Sequence, residues 1–205
     1  MNKQTHWETV YRERAVDMLS WFQATPAVSL ALIDAARQPK AAPIIDMGGG
    51  ASKLAYLLKG KGYRDITVVD IAAGALQKSR DQMGPAAKGI TWIQGDATKL
   101  DLPKAYRIWH DRAVFHFLTD PSDRQAYLDR LDRYLEPGGQ VILATFALDG
   151  PEKCSGLPVQ RYSPETLAET LDGSFRLLDF VEETHQTPAC AEQAFIYCRF
   201  ERKTN

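Results

Sequence analysis

Three acidic residues stand at or near the ends of short apolar runs: Asp46 in Ile44-Ile45-Asp46-Met47, Asp70 closing Ile66-Thr67-Val68-Val69-Asp70, and Asp96 after Ile90-Thr91-Trp92-Ile93-Gln94. The first run leads straight into Gly48, Gly49 and Gly50. Glycines there let the backbone turn tightly and approach a ligand with no Cβ in the way. A helix opening near Ser52 would add free N–H groups beside them. Asp70 lies 24 residues after Asp46. At the tip of a second strand, with Ile71 beside it, its carboxylate is placed to accept both hydroxyls of an adenosine ribose; its other use is to cap a helix beginning near Ala72. Asp96, in Gly95-Asp96-Ala97, can take the exocyclic amine of adenine while the Ala97 N–H meets a ring nitrogen, or it can close an Asx-turn.

A second group belongs to the reacting side. His110, Asp111 and Arg112 follow a fourth apolar run and are the candidate catalytic residues. A guanidinium at Arg112 would favour a thiolate or another anion and oppose a protonated lysine. His110 and His116 also fit as core or surface histidines. Cys154, in a long Gly- and Pro-rich loop, is a candidate reactive thiol or an incidental loop cysteine. The spacing of His110, His116, Cys154 and His185 gives no support for a metal site, and none is expected. Trp7 and Tyr11, one helical turn apart, are candidates either to cover a ligand or to pack as core.

These residues need elements to hold them. From position 44 short β-rich runs (44–47, 66–70, 90–94, 106–110 and 140–147) alternate with helical stretches at 52–62, 73–81 and 122–135. Repeated strand–helix–strand units predict an α/β fold with a parallel sheet covered on both faces. Runs at 175–183 and 193–200, joined across Pro188, predict a terminal antiparallel hairpin at the sheet edge. Before the sheet, apolar residues from Trp7 through Tyr11 and Met18 to Leu19 recur at helical spacing, and Pro26 opens a second helix over 28–36. One domain over 1–205 is expected, with a helical cap at 1–40 and the sheet core at 41–205.

Charge and composition narrow the partners. With 25 basic against 26 acidic residues, the chain has no excess of positive charge to neutralise phosphates, so nucleic acid is not expected as a partner. The longest apolar run, 141–148, is too short to span a bilayer, and the first residues lack the apolar stretch of a secretory signal. Three cysteines without C-x-x-C spacing argue against a disulfide framework. A cytoplasmic monomer or small homo-oligomer is expected, acting away from membranes.

Taken together, the motifs resemble the class I S-adenosylmethionine-dependent methyltransferases. They are Asp46-x-Gly48-x-Gly50, Asp70, Gly95-Asp96-Ala97, Asp111-Arg112 after the fourth strand, and Leu135-Glu136-Pro137-Gly138-Gly139 before the fifth. The resemblance implies a Rossmann-like, doubly wound, mostly parallel seven-stranded sheet, with S-adenosylmethionine as cofactor. It also implies that Asp46 orients the methionine amino group, that the glycine backbone meets the carboxylate, and that Trp7 and Tyr11 fold over the cofactor. A nicotinamide dehydrogenase is disfavoured because the turn is not G-x-G-x-x-G. On the acceptor side, Trp109, Asp111-Arg112, Pro121-x-x-Arg124-x-x-Tyr127 and Gly156-x-Pro158 resemble the thiopurine and thiol S-methyltransferases. Trp7-x-x-x-Tyr11, Ser20-Trp21-Phe22 and Asp111 to His116 resemble the lysine methyltransferases of elongation factors and citrate synthase. The expected function is methyl transfer to a small sulfur- or selenium-type nucleophile. A protein lysine methyltransferase and a non-catalytic cofactor-binding module are the alternatives.

Overall fold

The computed structural model describes residues 2–171 and 173–204. Seven strands form one sheet: β1 (Ile44–Met47), β2 (Ile66–Asp70), β3 (Ile90–Gln94), β4 (Tyr106–Arg112), β5 (Leu135–Phe146), β6 (Phe175–Gln186) and β7 (Glu192–Arg202). Their order is β3-β2-β1-β4-β5-β7-β6; β1 to β5 run parallel, and β7 and β6 complete the edge antiparallel. This is the Rossmann-like sheet with its terminal hairpin. The order reverses between β1 and β4, and doubly wound sheets bind ligands outside the strand ends at such a switch.

Strand alternation divides the core in two, because successive side chains point to opposite faces. Ile44, Val68, Ile108, Ile142 and Tyr197 face one layer with α2 (Ala27–Ala35) and α3 (Leu54–Gly60). Ile45, Val69, Trp109, Leu143 and Cys198 face the other, against α5 (Pro121–Tyr134) and α6 (Pro164–Leu171). Every residue of β1 and β2 is buried, which explains why those runs read as continuously apolar. α4 (Ala73–Met83) follows β2, and α1 (Lys3–Glu13) lies against it.

The fifth strand begins at Leu135, taking in the Pro-Gly-Gly segment read as a turn before it, and two further differences from the sequence reading bear on the site. The helical periodicity through Leu19 breaks at Glu13: Arg14 and Ala15 are extended, and Val16–Met18 forms a single 3-10 turn. The break lets Leu19 reach a small cluster with Tyr11, Ala51, Ala72 and Ala75, while Met18 turns out to solvent. The fourth strand continues past His110 to Arg112, pairing Arg112 with Ala144 of β5.

Candidate active site

At the end of β1 the chain turns through Gly48 at φ +69°, a left-handed conformation that favours glycine. A Cβ there would lie 2.1 Å from Val114 Cγ2, so the turn and the segment after β4 close together only without a side chain. Gly49 donates its N–H to Val69 O at 3.1 Å. Ser52 Oγ then accepts the Leu54 N–H at 3.0 Å, ordering the start of α3.

Asp46 and His110 are lateral partners in the β1–β4 ladder. Asp46 Oδ1 lies 2.7 Å from His110 Nδ1, and His110 Nε2 lies 2.9 Å from Ser29 Oγ on α2. All three residues are buried. Asp46 Oδ2 has no hydrogen-bond partner, and a buried carboxylate oxygen left so is costly. Asp46, His110, Gly48 and Gly49 border a cavity of about 560 Å³. An amino group brought into it would meet the demand of that carboxylate.

A larger cleft of about 840 Å³ adjoins the first, with Tyr11, Trp21, Gly48 and Arg112 common to both. Asp70, Ile71, Asp96 and Ala97 all line it. Asp70 Oδ1 accepts the Ala72 N–H at 2.8 Å, so the carboxylate caps the following turn and faces the cleft at once. Burial, reinforced by the nearby Asp46 and Glu8 carboxylates, raises its pKa to about 7, against the pull of the Ala72 and Gly50 N–H groups. Gly50 lines neither cavity; a Cβ on it would lie 2.3 Å from Asp70 Oδ2, so its role is to let that carboxylate sit close. Asp96 does form the Asx-turn, accepting from Thr98 N at 2.9 Å and Thr98 Oγ1 at 2.7 Å. Its pKa is lowered, because these bonds and Lys99 outweigh partial burial.

α1 lies across the cleft. Trp7 meets Trp21 and Phe117 edge-on, with ring centroids 5.6 and 5.1 Å apart, and Tyr11 packs on Trp21. The Glu8 carboxylate accepts from Ala73 N at 2.7 Å and Gly74 N at 3.2 Å, and Lys78 of α4 donates to the Tyr11 and Arg14 carbonyls. Sequence reasoning missed Glu8 and Lys78, and quoted Trp21 only within a resemblance, because their partners lie on other elements.

The remaining candidates separate. Arg112 lines both cavities, donating to Tyr197 OH at 2.8 Å and Trp21 O at 2.9 Å, with its guanidinium 4.6 Å from the Phe195 ring. Asp111 lines neither; it is fully buried on the α5 face. There it accepts from Val114 N, Phe115 N and Tyr127 OH, the last at 2.6 Å. His116 is buried between Phe117 and Phe146, and burial, helped by Arg112, lowers its pKa to about 3. Cys154 does line the larger cleft, where burial raises its thiol to about 11. His185 sits apart, on Ser20 O at 2.8 Å.

Residues 44–139, from β1 into the first residues of β5, match the family described as methyltransferase domain. Over these residues the chain is similar to methyltransferases, and it shares the fold of solved S-adenosylmethionine-dependent methyltransferases. The chain is 31% identical over 104 residues to malonyl-acyl-carrier-protein O-methyltransferase of Anoxybacillus flavithermus, covering 50% of this chain and 38% of that protein. It is 23% identical over 139 residues to the human eEF1A lysine and N-terminal methyltransferase, covering 67% of this chain and 19% of the other. The chain therefore spans less than half the length of either relative. Among solved structures, one from work on converting a disulfide bond into a thioacetal group during echinomycin biosynthesis covers 100% of this chain and 94% of its own, with TM-score 0.79 and 19% identity. The N-methyltransferase NodS of Bradyrhizobium japonicum, in complex with S-adenosylhomocysteine, covers 97% of this chain and 99% of its own, with TM-score 0.70 and 15% identity. At these identities the two structures share the fold. The unpartnered Asp46 Oδ2 and the side-chain-free turn at Gly48 fit S-adenosylmethionine, the methyltransferase cofactor.

Proposed function

We propose that this methyltransferase acts on a small sulfur- or selenium-centred nucleophile, as a cytoplasmic enzyme with one domain over 1–205. The observation carrying the acceptor reading is the guanidinium of Arg112, which lines both cavities with Trp21 and shares the larger one with Trp7, Phe117 and Cys154. Asp70, Ile71, Asp96 and Ala97 are assigned to the adenosine, with Asp46, Gly48 and Gly49 at the methionine end. His110 fixes Asp46, and Asp111 fixes the segment that carries Val114.

When bound, S-adenosylmethionine supplies a methyl group on a sulfonium that leaves as a neutral thioether, so no acid is required for the leaving group. The chain's task is to align the nucleophile and keep it deprotonated. A thiol with an ordinary pKa of about 8.5 is already partly thiolate at neutral pH, and a neighbouring guanidinium increases that fraction. A lysine amine, at about 10.4, would have to lose its proton beside a fixed cation. The raised pKa of Cys154 keeps it a neutral thiol, so it lines the cleft without competing for the methyl group.

Arg112→Ala is expected to cut kcat/KM for a small thiol roughly ten- to a hundredfold, the scale of one lost charge-assisted contact. The acid limb of its rate profile should move towards the pKa of the free thiol. An unchanged limb with unchanged kcat/KM contradicts the reading. A second reading, methylation of a carboxylate oxygen, is supported by the similarity to the malonyl-acyl-carrier-protein enzyme. A base-labile methyl ester as product would select it over a base-stable thioether.

A further inference from the structure

Behind Arg112 runs a line of polar side chains from the C-terminal hairpin. Tyr197 of β7 accepts the Arg112 Nε–H at 2.8 Å and donates its own hydroxyl proton to Glu183 Oε2 of β6 at 2.7 Å. Gln23, in the loop between α1 and α2, donates to both Glu183 oxygens at 3.0 and 3.2 Å. Tyr197 is fully buried, and its phenol pKa is raised, mainly by that burial, so the hydroxyl remains a donor towards Glu183. Trp21 O takes one Nη1 proton of Arg112. Nη2 is buried and has no partner.

A part-buried guanidinium whose Nη2 has no hydrogen-bond partner while its other side is fixed is arranged for an anion. An unpaired charged donor away from water is costly, and a negatively charged ligand relieves that cost. The carboxylate of Glu183 is taken up by Gln23 and Tyr197, so it orients Arg112 through Tyr197 without touching it. We propose that Arg112 is the anion-selecting element of the acceptor subsite, and that Tyr197 and Glu183 are positioning residues that hold it in place. This rests on the methyl-transfer reading above.

The test compares two probes on the protein loaded with S-adenosylhomocysteine: mercaptoacetate, an anion at pH 7, and 2-mercaptoethanol, neutral at that pH. Calorimetry is expected to show mercaptoacetate binding roughly tenfold or more tightly, the scale of one charge-assisted hydrogen bond. Tyr197→Phe should erase most of that preference while leaving affinity for S-adenosylhomocysteine unchanged. Glu183→Gln, which keeps an acceptor for Tyr197, should retain more of it than Glu183→Ala. Equal binding of the two probes by the unmodified protein overturns the proposal. So does a Tyr197→Phe variant that keeps the full preference, or one that loses affinity for S-adenosylhomocysteine instead. Because these arms need no turnover, they decide the proposal even if neither thiol accepts a methyl group; that result would count against the sulfur reading alone.

Discussion

The Glu8 carboxylate caps the amino terminus of α4, accepting from Ala73 N at 2.7 Å and Gly74 N at 3.2 Å across 65 and 66 residues of sequence. A cap normally comes from the residue preceding the helix, and Ala72 makes no side-chain bond there. The helix that covers the cleft thus supplies the cap of the helix below it, and holding α1 down and ordering the first turn of α4 become one event.

Glu8→Ala is expected to loosen α1 and cost about 1 kcal/mol, within the usual range for a lost cap. Hydrogen exchange over 3–13 should quicken in the free protein and be suppressed again by cofactor. Identical exchange in wild type and variant would show that Glu8 does not hold the helix.

Asp70 gives a pH dependence with a definite sign. Its folded pKa of about 7 lies above the ordinary value near 3.9. Between those values the folded chain keeps a proton that the unfolded chain has lost. The stability associated with this group is therefore fully present below pH ~4 and is lost as pH rises towards 7. Ribose hydroxyls need an ionised acceptor, so cofactor affinity should climb with pH to about 7 and then level off. Asp70→Asn should weaken cofactor binding by about 1.5–3 kcal/mol, yet melt higher than wild type above pH 7 in the absence of cofactor. A flat affinity profile from pH 5.5 to 8 in the wild type contradicts this account.

Asp111 and His110 should respond differently to removal. Asp111→Ala takes the acceptor away from two backbone N–H groups and Tyr127, and is expected to cost roughly 3 kcal/mol or more. Tyr127→Phe should cost about 1 kcal/mol. His110→Ala should instead weaken cofactor binding disproportionately, because it frees the Asp46 carboxylate. Denaturant midpoints read beside cofactor titrations separate the two effects. Equal loss of affinity in both variants would place Asp111 in the binding machinery.

The same pair shows how far the sequence was legible. Runs 44–47, 66–70 and 90–94 fold as strands over those residues; the first two are buried throughout, as interior parallel strands are, and 90–94 is the half-exposed edge strand. The sequence pattern ends the fourth strand at His110 and puts Asp111 and Arg112 after it. The strand runs on, and its alternation sends His110 and Arg112 to the cleft side and Asp111 to the α5 side. α6 went unread although Ser163-Pro164-Glu165-Thr166 carries a start signal, with Ser163 Oγ accepting the Thr166 N–H at 3.2 Å. The contacts of Glu8, Trp21, Glu183 and Tyr197 had no local signature, since their partners lie on other elements and only the folded sheet brings them together.

Methyl transfer to a small sulfur or selenium acceptor, as proposed, leaves a small methylated product. The most direct measurement incubates the protein with methyl-labelled S-adenosylmethionine and, in parallel, small thiols, selenols, carboxylates, amines and cell lysate. Label is expected in a small, base-stable product from the thiol or selenol reactions, with Arg112→Ala strongly reduced. Label confined to a protein band from the lysate, with every small acceptor inert, would contradict it.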